Sequence, residues 1–288
     1  MIPVIWYASN GFWDSALPRY ILDEGGDCHH VIWEKDKPVV LPEGSVGAIL
    51  IPGRHSCDAY DLFNELAEKF EKVVFYVYGD EEGIFHSDRL QHSNMKLWYG
   101  CQSFYPRQPE GQPGLCGWPT DAPEMLHKHP GVDRPLDWFF AGQMTHIRRV
   151  HCIDALQGIP NGHMLPTPGF TQGLPREEYY KMMRMAKVIP CPSGPCSPDT
   201  FRFAEALLAG CIPIVDDRIP NAQHPKGFWQ YTLQEKNLPF PILSDWTTLP
   251  DVVADLLYGW YGKAVKCMEW WESYKNLLIN QMREDLHV

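Results

Sequence analysis

Short apolar runs alternate with amphipathic segments from the N-terminus to about residue 80. Four of these runs are rich in β-branched and aromatic residues, which predicts strands. A loop and a helix follow the first run, and another helix, over 57–71, precedes the last. The predicted strands are 2–8, 28–34, 46–53 and 72–79. Strands that alternate with helices in this way predict a parallel, doubly wound sheet.

The second half of the chain repeats the alternation after a proline-rich stretch. Residues 101–136 contain seven prolines and are predicted to be a linker. The pattern beyond it predicts strands at 137–143 and 187–191, helices at 147–157 and 176–186, and helix from Asp251 to the end. The fold class is therefore α/β, with two doubly wound, Rossmann-like domains that face a cleft.

The segment "CPSGPCSPDTFRFAEALLAGCIPIVDD" (191–217) predicts a loop, a helix and a parallel strand. Ser197 is a suitable N-cap, and Pro198 suits the first turn, where a missing N–H costs nothing. Gly210 stands where a left-handed C-terminal residue is preferred. The apolar run 211–215 is typical of a strand covered on both faces.

Arg202 and Glu205 lie three residues apart, so they share one face of this predicted helix. A solvated ion pair is one interpretation of such a spacing. The alternative is an anion site, because a glycine-containing loop, free N–H groups at a helix start, two hydroxyls and an arginine precede a carboxylate. The hydroxyls belong to Ser197 and Thr200. A phosphate with an adjacent ribose would satisfy both charged groups.

Two segments resemble exostosin-like (GT47-type) glycosyltransferases. "SGPCSPDTFRFAEALLAGCIPIVDD" is similar to the donor-binding segment of that family, and "FFAGQMTHIRR" is similar to the opening of its C-terminal domain. The resemblance is specific over about 135–220. It implies a GT-B fold with an acceptor domain (1–125), a sugar-nucleotide-binding domain (126–262) and a C-terminal helix (263–288) that packs back towards the first domain.

The resemblance also implies roles for individual residues. Glu205 would bind the ribose hydroxyls and Arg202 the diphosphate of a nucleotide sugar, with a UDP-sugar as substrate and no other cofactor. Further contacts to the donor would come from Ser193, Gly194, Ser197, Thr200, Gly142, Gln143 and either Arg148 or Arg149. Without a metal ion, arginine and helix-terminal N–H groups must stabilise the charge that develops on the leaving diphosphate.

An inverting transferase also needs a base near the acceptor hydroxyl, and acidic residues follow several predicted N-terminal strands. Asp14 and Glu81 are the leading candidates. His55, Asp58 and Asp80 are further candidates, although each acidic residue could instead cap a helix or solvate a turn. We expect inversion of configuration.

Charge and composition limit the partners. Residues 1–135 carry 20 acidic and 11 basic residues, a net charge of −9, whereas residues 136–288 carry 16 and 14, a net charge of −2. An acidic N-terminal half disfavours extended contact with nucleic acid or anionic lipid. The nine cysteines lack a CxxC motif, which argues against a disulfide framework or a zinc site. No apolar run is long enough to span a membrane, and we expect a cytoplasmic protein.

Asp216 and Asp217 follow a predicted buried strand and could be mistaken for a metal-binding Asp-x-Asp motif. We interpret them as strand-end residues and expect metal-independent activity. The expected function is glycosyl transfer to a glycan or small molecule. One alternative is a phage-type transferase acting on a 5-hydroxymethylated base in DNA, and another is a non-catalytic protein that binds nucleotide sugars.

Overall fold

The computed structural model divides the chain into two compact units. The first comprises Met1–Gly117 and Tyr274–Val288, and the second comprises Trp118–Ser273. Within these units the structure describes residues 1–7, 15–34, 37–43, 45, 47–52, 59–80, 84–102, 111–122, 131, 133–169, 172–217 and 227–286. The domain boundaries expected after residues 125 and 262 stay predictions about which parts of the chain fold independently.

The first unit contains a parallel five-stranded sheet in the order β2-β1-β3-β4-β5. Its strands are β1 (Ile2–Tyr7), β2 (Cys28–Trp33), β3 (Gly47–Ile51), β4 (Lys72–Asp80) and β5 (Met95–Gln102), and its helices are α1 (Ala16–Gly25) and α2 (Tyr60–Ala67). A 3-10 turn covers Ser87–Arg89. The unbroken apolar runs of β1, β3 and β4 occupy the middle of the sheet, as expected for strands covered on both faces.

The core of the first unit is aromatic on the side covered by α2. Phe63 of α2 is fully buried and packs its ring 5.4 Å from that of Tyr7 and 5.5 Å from that of Trp33. The end of the last helix belongs to this unit as well: Arg283 donates from Nε to the carbonyl oxygen of Gly25 at 2.8 Å. The aromatic contacts exclude water from the α2 side of the sheet, and the hydrogen bond joins the last helix to the end of α1.

The second unit contains a parallel five-stranded sheet in the order β10-β9-β8-β6-β7. Its strands are β6 (Leu136–Gln143), β7 (Gly162–Thr167), β8 (Ala186–Cys191), β9 (Ile212–Asp216) and β10 (Ile242–Leu243). The helices are α3 (Ile147–Leu156), α4 (Arg176–Met185), α5 (Phe201–Leu208), α6 (Phe228–Leu233), α7 (Leu249–Leu257) and α8 (Trp260–Leu286), with a 3-10 turn at Trp246–Thr248. Residues 260–273 of α8 belong to this unit and its remaining residues to the first.

The segment that precedes α5 differs from its prediction at one point. The helix begins at Phe201 with Thr200 at the N-cap, not near Pro198 with Ser197 as the cap. Ser197 is used in its own turn instead, because its hydroxyl accepts from the Asp199 backbone at 3.2 Å and its carbonyl accepts from the Gly194 backbone at 2.7 Å. A side chain that bonds within a local turn is no longer available to cap the helix.

The C-terminal end of α5 agrees with its prediction. Gly210 has φ 68°, a left-handed conformation that glycine adopts without steric cost. β9 then runs through the buried residues Ile212–Asp216, as the apolar run predicts.

The sequence analysis did not predict three of the strands, and it wrongly assigned part of the chain to a linker. β5, β7 and β10 are edge strands of their sheets, and they carry less continuous apolar sequence than the central strands. Residues 111–118 are not linker, because Gln112 pairs with the backbone of β5 and Leu115 and Trp118 are buried. Among the helices of the described residues, none is both long enough and apolar enough to cross a lipid bilayer.

Candidate functional site

Polar residues of the second unit collect at the carboxyl ends of its parallel strands. Gln143 ends β6, Ser193 follows the end of β8 by two residues, and Asp216 ends β9. Because β6, β8 and β9 are adjacent in the sheet, their carboxyl ends lie side by side along one edge, which is the edge formed by strand ends and not a lateral edge strand. Open α/β sheets bind their ligands at this edge.

The first polar group at this edge consists of Arg148, Ser193, Asp216 and Trp246, and we call it the Ser193–Asp216 cluster. Arg148 is buried and donates from Nε to Ser193 Oγ at 2.8 Å and from Nη2 to the carbonyl oxygen of Gly194 at 2.8 Å. The Asp216 carboxylate accepts from the backbone and hydroxyl of Ser193 and from Trp246 Nε1 at 2.9 Å. The cluster therefore ties the loop after β8 to α3 and to the end of β9.

Arg149 lies beside this cluster and also contacts backbone oxygens. Its Nη1 donates to the carbonyl oxygen of Gln143 at 3.1 Å, and its Nε donates to the carbonyl oxygen of Ser193 at 3.4 Å. Arg148 and Arg149, the alternatives predicted to approach a diphosphate, thus each donate to backbone carbonyl groups near the strand ends. Their role towards a ligand stays a prediction.

The second polar group lies at the start of α5 and on α4, and we call it the Arg202 cluster. Its members are Tyr179, Tyr180, Thr200, Arg202 and Glu205. Arg202 donates from Nη2 to the carbonyl oxygen of Ala141 at 2.6 Å, and its guanidinium lies 4.8 Å from the ring centre of Phe140. These contacts fix the guanidinium over the carboxyl end of β6.

Three polar atoms of the Arg202 cluster are shielded from solvent and lack a hydrogen-bond partner among the described residues. They are Nε and Nη1 of Arg202 and Oγ1 of Thr200. A buried donor left without a partner costs about 1 to 3 kcal/mol, and more when it is charged. An anionic ligand that accepts from these atoms would recover that energy.

Gly142 makes this position of Arg202 possible. A Cβ atom at residue 142 would collide with Arg202 Nη2. Any other residue at this place would displace either the guanidinium or the end of β6. The structure therefore brings together two residues, Gly142 and Arg202, that the sequence analysis assigned to one site from segments 60 positions apart.

Glu205 is 6% exposed, so the solvated ion pair considered from the sequence is wrong. Its Oε2 accepts from the hydroxyl of Tyr179 at 3.0 Å, and its Oε1 accepts from the hydroxyl of Tyr180 at 2.9 Å. Burial raises the pKa of the Glu205 carboxyl above its ordinary value, while the two tyrosine hydroxyls and Arg202 oppose that shift. The carboxylate is thus a buried acceptor that the protein already holds in place.

His146 at the N-cap of α3 is a site residue that sequence reasoning missed. Both of its ring nitrogens are shielded from solvent, and they make no hydrogen bond of good geometry among the described residues, although the Ser193 backbone is close enough to act on the ring. Burial, with the charges of Arg148 and Arg149, lowers the pKa of His146 to about 4, and Ser193 and Asp216 oppose the shift. His146 is therefore neutral at pH 7. Its place directly before "IRR" in the quoted segment was the available signal.

The candidate bases lie mostly outside the described residues. Asp14, Glu81, His55 and Asp58 all fall there, so their roles stay predictions. Asp80 is described: it is 4% exposed, and its carboxylate accepts from the backbone of Ile84 at 2.8 Å and of Phe85 at 3.2 Å. These bonds match the turn-stabilising alternative considered for that residue.

The acidic pair at the end of β9 is bonded to protein groups. The carboxylate of Asp216 belongs to the Ser193–Asp216 cluster, and Asp217 Oδ1 accepts from the backbone of Trp229 at 3.1 Å. Burial raises the pKa of Asp217. In the part of the chain that the structure describes, no three His, Cys, Asp or Glu side chains group in a way that could hold a metal ion.

Comparison with known protein families gives a match over the C-terminal part of the chain. The family model described as "RXYLT1 C-terminal domain" matches residues 172–287, which include the Arg202 cluster. Residues 172–287 are therefore similar to a domain of the exostosin-like family. The resemblance inferred from "SGPCSPDTFRFAEALLAGCIPIVDD" is thereby confirmed. No curated protein matches the chain by sequence.

Comparison with solved structures extends the likeness to the whole chain. The Anabaena protein Alr3699/HepE in complex with UDP aligns with a TM-score of 0.52 at 9% identity, covering 100% of both chains. Its complex with UDP and glucose aligns with a TM-score of 0.50 at 9% identity, also over 100% of both chains. At this identity the likeness concerns the fold alone. The predicted GT-B fold is confirmed.

Proposed function

We propose that the chain transfers a sugar from a UDP-sugar to an acceptor hydroxyl, without a metal ion and with inversion of configuration. The observation that carries this proposal is the Arg202 cluster. It combines a guanidinium, two of whose nitrogens have no partner among the described residues, with a buried carboxylate one helical turn away. A nucleoside diphosphate presents the complementary groups, namely an anionic diphosphate next to ribose hydroxyls. The UDP bound by HepE in its crystal structures favours uridine as the nucleoside.

In this mechanism, Arg202 acts on the leaving group. When the bond between the anomeric carbon and the phosphate breaks, negative charge accumulates on the diphosphate. Nε and Nη1 of Arg202 donate to its oxygen atoms, and this interaction strengthens as the charge develops. Gly142 and the carbonyl oxygen of Ala141 hold the guanidinium in position beforehand, so little reorganisation is needed.

Glu205 has a different task in the same mechanism. Its carboxylate accepts hydrogen bonds from the ribose, which changes little between the ground state and the transition state. Glu205 therefore contributes to donor binding more than to turnover. Thr200, whose hydroxyl has no partner among the described residues, supplies a further hydrogen bond to the donor.

The proposal of metal independence rests on how the strand-end aspartates are used. A divalent ion requires carboxylate oxygens that are free to coordinate it. Three of the about four lone-pair sites of the Asp216 carboxylate already accept hydrogen bonds, two of them from Ser193 and one from Trp246, so at most one site remains for a metal ion. Arginine therefore takes the charge-neutralising role that a metal ion has in other transferases.

The proposed acceptor is a glycan or a small molecule, and Asp14 or Glu81 is the proposed base. Of the two acceptor classes, DNA is disfavoured by the net charge of −9 on residues 1–135, because phosphate backbones require basic surfaces. A DNA gel-shift assay at low salt separates these classes: retention of hydroxymethylated DNA would contradict the proposed acceptor class.

The proposed reaction is tested by measuring release of the nucleotide, which is a nucleoside diphosphate from UDP-, GDP- and ADP-sugars and CMP from CMP-sialic acid. The full chain is incubated with UDP-glucose, GDP-mannose, CMP-sialic acid or ADP-glucose and a panel of hydroxyl acceptors, with and without EDTA. We expect turnover with a UDP-sugar that survives EDTA. Turnover that disappears in chelator and returns with manganese would contradict metal independence. Binding of UDP-sugars without turnover across the panel would favour the non-catalytic alternative.

A further inference from the structure

The two tyrosines of the Arg202 cluster were not among the residues predicted from the sequence, yet they contact its central carboxylate. Tyr179 and Tyr180 are consecutive residues of α4, and their hydroxyls reach different oxygens of Glu205, at 3.0 Å and 2.9 Å. Tyr180 is 1% exposed, and Tyr179 is half-buried beside the ring of Phe139. Both oxygens of the carboxylate are therefore bonded to protein groups before any ligand arrives.

These bonds leave room for a ligand on each oxygen. An ionised carboxylate has about four lone-pair sites, two on each oxygen. The two phenol hydroxyls occupy one site on each oxygen, so one further acceptor site remains on each. A pair of vicinal hydroxyls, such as the 2′ and 3′ hydroxyls of ribose, can use two such sites.

The tyrosines also restrict the motion of the carboxylate. A glutamate side chain has several rotamers, and ordering it during binding lowers affinity. Two hydroxyls that approach from one helix define both the position and the plane of the carboxylate. Such preorganisation raises affinity without any contact between the tyrosines and the ligand.

We propose that Tyr179 and Tyr180 are positioning residues that make Glu205 selective for ribose over deoxyribose in the nucleotide of the sugar donor. This inference rests on the proposed function, because it assigns the remaining acceptor sites of Glu205 to the ribose. Burial and the neighbouring Glu205 charge raise the pKa of both tyrosines, so both hydroxyls stay protonated and donate throughout the neutral range.

The test measures the dissociation constants of UDP, 2′-deoxy-UDP and 3′-deoxy-UDP for the full chain. The ratio of deoxy to ribo dissociation constants reports selectivity, and it does not depend on the fraction of protein that is folded. The variants are Tyr179→Phe, Tyr180→Phe and Glu205→Gln, together with each tyrosine substitution in the Glu205→Gln background. Tyr258→Phe is the matched control, because Tyr258 is 86% exposed.

We expect the wild-type chain to prefer UDP over at least one deoxy analogue by about 10- to 100-fold, as for a hydrogen bond to a charged acceptor. Tyr180→Phe and Tyr179→Phe should each reduce that preference about three- to tenfold. Because both tyrosines act through Glu205, neither substitution should change the ratio more than about twofold once Glu205→Gln is present. Tyr258→Phe should leave the ratio unchanged.

Two results would overturn the inference in distinguishable ways. If the wild-type chain binds UDP selectively but the tyrosine variants keep the full ratio and lose only thermal stability, the tyrosines are structural and the proposed function stands. If the wild-type chain does not bind UDP, the proposed function fails and this inference fails with it.

Discussion

The Ser193–Asp216 cluster and the Arg202 cluster lie at the same edge of one sheet, but they differ in how their polar atoms are used. In the first cluster, Arg148 and Asp216 bond to loop and strand-end groups of the protein. In the second, Arg202 makes one hydrogen bond and retains two buried nitrogens without a partner among the described residues.

This difference indicates two roles for charged groups in one site. A buried charge whose hydrogen bonds are made within the protein stabilises structure, and its loss costs folding energy. A buried charge whose donors have no acceptor reduces the stability of the fold. Hydrogen bonds to a bound ligand offset this free-energy cost. We therefore expect substitutions in the first cluster to change folding and substitutions in the second to change activity.

The largest effect is expected for Arg202→Ala. Loss of a charge-assisted contact to the leaving diphosphate should lower kcat/KM by about 30- to 1000-fold, which corresponds to roughly 2 to 4 kcal/mol. The loss should fall more on kcat than on the KM for the sugar donor. Steady-state kinetics with the best UDP-sugar measures both. Lys181→Ala, which removes an exposed charge from α4, is the control, and equal kinetics in the two variants would contradict the proposed role.

The next effect is on stability, in the other cluster. Asp216→Ala leaves the backbone and hydroxyl of Ser193 and the indole of Trp246 without their acceptor. We expect the free energy of unfolding to fall by about 2 to 3 kcal/mol, measured by urea denaturation. Asp154→Ala, at an exposed position of α3, should change it by less than about 0.5 kcal/mol. A loss in Asp216→Ala no larger than in this control would refute the structural role of the cluster.

A smaller effect on activity is expected for Gly142→Ala. The added Cβ would collide with the guanidinium of Arg202, so the guanidinium must shift, and kcat/KM should fall about tenfold. Gly158→Ala is the matched control, because its Cβ would come no closer than 3.8 Å to the carbonyl oxygen of Ala155. The comparison of the two clusters weakens if both glycine variants retain full activity at normal stability.

The smallest effect concerns pH. The pKa of Glu205 is raised by burial, so the carboxyl takes up a proton at a pH above its ordinary value of 4.5. The protonated form accepts fewer hydrogen bonds, and the preference for UDP over 2′-deoxy-UDP should therefore decline as pH falls through that raised pKa. The phosphates titrate equally in both ligands and cancel in the ratio. Glu205→Gln should show a ratio independent of pH, and a wild-type ratio that does not change between pH 4.5 and 8 would contradict this assignment.

The sequence predicts the centre of each sheet better than its edges. β1, β3, β4, β8 and β9 are continuous apolar runs because both of their faces are covered. β5, β7 and β10 all lie at sheet edges, where the demand for apolar residues is weaker, although β2, also an edge strand, was predicted. Local pattern therefore misses these strands.

The candidate site shows the same limit. Arg202 and Glu205 are predictable because a loop, a helix start and a strand stand together in 27 residues of sequence. Tyr179 and Tyr180 reach Glu205 from another helix, about 25 residues earlier, and no local pattern reports such a contact. Local sequence does not predict the turn at Ser197 either, because the surrounding backbone decides whether a serine caps a helix or closes a turn.

The central claim is that the Arg202 cluster binds the nucleoside diphosphate and the Ser193–Asp216 cluster holds the fold. Calorimetric titration of UDP into the wild-type chain, Arg202→Met and Asp216→Asn tests it most directly, with a thermal melt of each protein alongside. We predict that Arg202→Met melts near the wild-type temperature but binds UDP at least about 30-fold more weakly, whereas Asp216→Asn melts at a lower temperature and retains UDP affinity while folded. Wild-type affinity for UDP in Arg202→Met would contradict the claim.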